Sequence, residues 1–221
     1  MDIFERKDLQ EADLQGADLM GVNLQGLNLQ GANLEGANLR KAHLEGANLM
    51  RANLIGADLQ GAHLQGAHLE WAYFGGTNLK EANLRGANLF YADLTEAHLE
   101  GANLIEANVE MAIFRLAKLH LANFKKANLE GANLQEADLY GADLQGANLK
   151  GANFYGADLQ EANLKEANLE GAYLVVTNLE GAQNLSLFQL SKVRTLYNAK
   201  LDNEFLISLK EKFPTLFEEP K

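Results

Sequence analysis

With 221 residues, 47% of them hydrophobic and 22% charged, the chain suits one packed domain and is not charged enough to be held unfolded. Two prolines exclude a Pro-rich or collagen-like chain, and the absence of cysteine excludes disulfides, thiolate nucleophiles and Cys-ligated metals. The net charge of −11 disfavours nonspecific binding to DNA or anionic membranes, and it resides in the first part of the chain: 25 acids face 13 bases through Ala182, against 5 and 6 beyond it.

The opening segment "MDIFERKDLQ" lacks a basic stretch followed by an apolar run, and no stretch approaches the ~18 apolar residues of a membrane span. A cytoplasmic protein is therefore expected. From Leu9 to Leu179 every fifth residue is large and apolar. Of these 35 positions 30 are Leu, the others being Phe74, Val109, Phe114, Phe124 and Phe154. Two residues before each stands Ala in 30 of 35 cases, with Asn, Asp or His usually between, and 19 of the 20 glycines fall two residues after.

That pattern selects a backbone. At ~100° per residue, five helical residues advance ~500°, so the leucines would spiral around a helix instead of forming a stripe. Ala-x-Leu is strand alternation, yet five is odd, and a continuous strand would turn the next Leu to the opposite face. A turn in every repeat removes the conflict, and the glycine slot, tolerant of positive φ, is where it belongs. The expected fold is an all-β solenoid with Leu and Ala inside.

The "A(N/D)LxG" unit, as in "GANLEGANL" and "GADLQGANLKGANF", resembles the pentapeptide-repeat family, and the uninterrupted run resembles its cyanobacterial-type members. The resemblance implies a right-handed quadrilateral β-helix with four repeats per coil and so about nine coils, roughly 40 Å long at a spacing of about 4.8 Å. It implies a filled interior without a substrate pocket. Phe4, on the Leu phase, is expected to plug the first coil, and Lys7, in an interior slot, to discourage edge association; an N-terminal stacking dimer is the competing expectation.

After Ala182 the phase fails, which divides the chain into a β-helix over 1–182 and a short α-helical C-terminal cap over 183–221. Ser186 and Gln189 form a capping-box pattern for a helix near Leu187–Val193. Asn198–Leu201 reads as one more repeat in a shifted phase. Asp202 is the expected N-cap of a helix from Asn203 to Phe213, stopped by Pro214, with Phe205, Leu206, Leu209 and Phe213 on its inner face.

No catalytic motif appears and no carboxylate pair lies in an apolar setting, so an enzyme, a cofactor or a metal is not expected. His43, His63, His68 and His98 replace the Asn of the motif; His43 and His63 would stack in adjacent coils, too few ligands for zinc. The departures from consensus carry more. Modulo twenty, Arg51, Trp71, Tyr91 and Met111 share an exterior slot in four successive coils, with Met50 and Phe90 on one side and Tyr73 and Ile113 on the other. These eight residues are expected to form a continuous aromatic-rich stripe, either packed merely on itself or serving as an interaction surface. A second irregular band, Val109–Lys126, places Arg115, Lys118, Lys125 and Lys126 on several faces. The expected role is a non-enzymatic scaffold for an unknown protein partner, without direct nucleic-acid or membrane binding. It would be a monomer, or a homodimer through a solenoid end or the stripe. The alternative, implied by the quinolone-resistance branch of the family, is a DNA-mimicking binder of DNA gyrase or topoisomerase.

Overall fold

The computed structural model describes residues 8–220. Its β structure is a series of isolated parallel bridges, each joining a residue to the one twenty positions on, from Asp8 to Asn28 through Asn163 to Gln183. Four repeats therefore make one coil. The expected short β-segments shrink to single bridging residues, because the turn follows at once. In all 35 slots two residues after the core position, φ lies between 54° and 71°, whether the residue is one of 19 glycines or one of 16 others. With the fourth residue's N–H donating to the core residue's carbonyl, as from Ala72 to Leu69 at 3.1 Å, each corner is a type II turn.

Three backbone hydrogen bonds per repeat tie successive coils. Around Leu69, for example, Leu69 N donates to Asn88 O, Trp71 N donates to Phe90 O, and Asn88 N donates to Ala67 O. The bridging side chains form a second, external ladder. Asn108, Asn128, Asn148 and Asn168 each donate Nδ2 to the Oδ1 of the asparagine twenty residues earlier, at 2.9–3.2 Å. Inside, the leucines from Leu24 onward have no exposed surface through the middle of the rod, and the alanines beside them are equally buried. Phe114 meets Phe124 edge-on across the core, with centroids 6.0 Å apart. Thr77 and Thr177, standing in alanine slots, remain fully buried because their hydroxyls donate to the Leu54 and Phe154 carbonyls at 2.6 and 2.7 Å.

The repeats give way to helix α1, Leu187–Leu190, whose Ser186–Gln189 capping box is formed reciprocally; it stops three residues short of the expected Val193. The coil then resumes with bridges from Tyr173 to Thr195 and from Asn178 to Lys200. The offset is now 22, so the segment containing α1 adds two residues without breaking the stack. Asn198 takes the positive φ expected of a further repeat. Helix α2 spans Asn203–Lys212, but the Asp202 side chain does not cap it. Its carboxylate instead accepts from Gly181 N at 3.2 Å. Pro214 does more than stop α2: it opens a 3-10 helix, Pro214–Phe217. Leu209 is fully buried and Phe205 and Leu206 pack partly against the core, whereas Phe213 is exposed. Phe4 and Lys7 lie outside the described residues. No helix of the described residues is long and apolar enough to cross a membrane.

Candidate functional site

The corner column that follows the bridge of Asp8 and its successors reads Gly31, Arg51, Trp71, Tyr91, Met111, Gly131. All six have positive φ. A side chain at such a corner leans toward the next coil. Trp71 lies flat on Tyr91, with centroids 4.3 Å apart and planes 3° from parallel. Met111 folds over Gly131 so closely that a Cβ there would meet its Sδ at 2.5 Å. Bare glycine corners thus bound the four large side chains at both ends.

The neighbouring columns are less continuous than expected. Phe90 packs edge-on against Tyr91 at 4.5 Å and against Trp71 at 6.2 Å. Met50, however, is separated from Phe90 by Glu70, and Tyr73 from Ile113 by Asp93, since each intervening coil contributes its own residue. The structure therefore brings Trp71, Phe90 and Tyr91 into one aromatic cluster and disposes Met50, Arg51, Tyr73, Met111 and Ile113 around it with acids interspersed. Mutual packing does not exhaust the cluster: Trp71 stays 45% exposed, Tyr73 51% and Tyr91 37%. Ile55, which the sequence reading missed, belongs here too, exposed and 3.7 Å from the Cβ that Gly75 lacks. Gly75 is the one glycine outside the turn slot, and that was the available signal.

Other irregular residues lie apart. His43 and His63 stack at 4.9 Å as expected, while His68 bridges a different column. Among the described residues no group of three His, Asp or Glu is placed to hold a metal ion. Leu121 is 59% exposed beside His120 and Tyr140, whose rings stack at 5.0 Å half a coil from Met111. At the C-terminal end Phe188 and Ile207 are exposed, and Lys192 lies 5.4 Å over the Phe188 ring.

The family model for pentapeptide repeats matches in eight copies, over residues 4–26, 28–66, 67–104, 82–120, 122–160 and 152–186. Among solved structures the chain is similar to HetL, a pentapeptide repeat protein involved in heterocyst differentiation regulation from the cyanobacterium Nostoc sp. strain PCC 7120. The two are 34% identical, with a TM-score of 0.71 over 87% of this chain and 86% of HetL. A trypsin-treated form of QnrB1, a plasmid-mediated fluoroquinolone resistance protein, shares the fold at 21% identity and a TM-score of 0.50, over 93% of this chain and 98% of QnrB1. No curated protein matches the chain. By the family match and the likeness to HetL, the chain belongs to the pentapeptide-repeat family.

Proposed function

We propose that the protein is a non-enzymatic scaffold, a right-handed quadrilateral β-helix of about nine coils over 1–182 closed by a cap over 183–221, that docks a partner protein on its aromatic corner. The observation that carries this reading is the Trp71–Tyr91 stack, which leaves both rings substantially exposed on a rod whose other large apolar side chains are mostly interior. Stacked rings on a rigid backbone lose little entropy on binding, which suits an anchor. The likeness to HetL, a protein involved in regulation, supports an interaction role over a catalytic one.

The test is affinity capture from native lysate with wild type and with a Trp71→Ala/Tyr91→Ala double variant, alongside light scattering. The double variant should keep its unfolding midpoint within the few tenths of a kcal/mol expected of surface changes and lose the captured protein. Unchanged capture and unchanged mass would sink the proposal. The net charge of −11 supplies the competing gyrase reading, but the turn slots from Gln10 to Gln65 carry chiefly Gln and Gly, not acids. A supercoiling assay with and without a fluoroquinolone separates the two: protection of gyrase at micromolar protein would favour the DNA mimic.

A further inference from the structure

Two carboxylates stand at the aromatic corner, and one of them, Asp93, keeps acceptor capacity that the fold leaves unused. Eight of the 35 bridging positions are Asp. Five of them, Asp8, Asp13, Asp18, Asp58 and Asp143, accept an amide from the asparagine of the next coil at 2.8–3.1 Å. Asp93 cannot, because the next residue in its column is Ile113 and the preceding one is Tyr73. Its Oδ1 takes only the Thr95 N–H and hydroxyl, at 3.0 and 2.6 Å. Glu70, between Met50 and Phe90, has its side chain 16% exposed. Its Oε1 accepts from Asn88 at 2.6 Å and lies 3.9 Å from His68 Nδ1, and its Oε2, without a hydrogen-bond partner, is closed off from solvent, so Glu70 adds negative charge beside the rings rather than a free acceptor. Among the described residues no Lys or Arg lies within 4.0 Å of either carboxylate. Arg51, whose N–H donates to Glu70 O at 3.0 Å, lies one coil from Glu70 and two from Asp93, and Arg115 lies one coil from Asp93 and two from Glu70.

A carboxylate framed by aromatic faces is cation chemistry: the carboxylate supplies charge-assisted hydrogen bonds and the rings supply their negative faces. The geometry points to a partner segment that places a cationic side chain, arginine or lysine, between apolar ones, the cation meeting Asp93 and the apolar groups lying on Trp71, Tyr73 and Ile113. This assignment rests on the aromatic corner being the docking surface, and it adds the chemistry of what docks there. Arg51 and Arg115 would repel a cation displaced along the rod, which fixes register.

The chain's single Trp is Trp71, so its emission reports occupancy without a label. The experiment pans a random dodecapeptide library on the immobilised full chain and titrates each enriched peptide by Trp71 fluorescence against wild type, Asp93→Asn, Glu70→Gln and Trp71→Ala/Tyr91→Ala, the last read by calorimetry. Both carboxylate variants keep the existing acceptor atoms, so the fold is not at stake. Enriched peptides should carry Arg or Lys beside an apolar residue and bind about tenfold more weakly to Asp93→Asn, with a smaller loss at Glu70→Gln, which removes charge but no open acceptor. They should also weaken as salt is raised. Neutral or acidic peptides that need Trp71 and Tyr91 but ignore Asp93→Asn would overturn the cation assignment and leave the scaffold reading standing. Peptides indifferent to the double variant, or no enrichment, would overturn both. Concentration-dependent self-association lost in the double variant would make the occupant a second copy and also overturn the assignment.

Discussion

Truncating one core leucine should cost an amount set by its place along the rod. Leu64 has no exposed surface, and the backbone around it is pinned on both sides. Leu64 N donates to Asn83 O at 2.7 Å, His63 N to Ala42 O at 2.9 Å, and Ala67 N to Leu64 O at 3.0 Å. Leu64→Ala therefore leaves a cavity that the chain can close only by stretching these bonds. That places it in the upper part of the Leu→Ala range, about 3–5 kcal/mol. Leu14, in the first coil, is only half-buried. Its truncation removes less buried surface and leaves a site open to water, so about 1–2 kcal/mol is expected. Guanidinium unfolding followed by far-UV circular dichroism gives both values, and native-state amide exchange shows where each acts. In a quasi-one-dimensional array the Leu14 variant should speed exchange in the first coils alone, and the Leu64 variant on both sides of its coil. Equal costs at the two sites, or a loss below about 1 kcal/mol at Leu64, would refute a filled, hydrogen-bond-clamped interior.

Two further outcomes follow from the corners and from the first coil. Val176 is a β-branched residue at φ 58° and is 46% exposed; left-handed backbone costs a non-glycine residue about 1–2 kcal/mol, of which glycine's extra unfolded-state freedom returns about 0.5–1. Val176→Gly should therefore raise stability by up to about 1.5 kcal/mol in the same unfolding assay, and a clear loss would contradict the strain argument. Asp8, Asp13 and Asp18 are the first described rungs of three side-chain ladders, accepting the amides of Asn28, Asn33 and Asn38. Changing all three to Ala removes these acceptors and should cost about 0.5–1.5 kcal/mol at each site in the same unfolding assay; no loss would refute a stabilising ladder.

How much of this was legible depends on what each letter determines. The every-fifth leucine demanded a turn per repeat, and the turn fell where glycine is frequent because that slot needs positive φ. The number of turns per coil is a matter of corner angle, which composition does not carry; it came from family resemblance and stands in the twenty-residue bridges. The capping box at Ser186 was readable because both partners are local. Asp202 stands at the N-cap position as its sequence context indicates, but its side chain makes no cap bond because a distant backbone N–H, that of Gly181, competes for its carboxylate. At the candidate site, arithmetic modulo twenty brought Trp71 to Tyr91, but counting only apolar letters overstated the stripe's continuity and passed over Glu70 and Asp93. Ile55 escaped because it is the lone large apolar residue of its column before Val175 apart from Tyr155, and only Gly75 beside it hints at its role.

The central claim is that any surface this protein offers is assembled by the twenty-residue register, through residues that are distant in sequence and stacked in space. One added pentapeptide tests it. Inserting Ala-Asn-Leu-Gln-Gly between Gly86 and Ala87 keeps every core and turn position in phase yet moves Tyr91 one side around the rod from Trp71. The account predicts an unchanged far-UV spectrum and cooperative unfolding, with loss of the near-UV signal and emission maximum that report the Trp71–Tyr91 stack. A lost fold, or a Trp71 environment indifferent to the insertion, would contradict it.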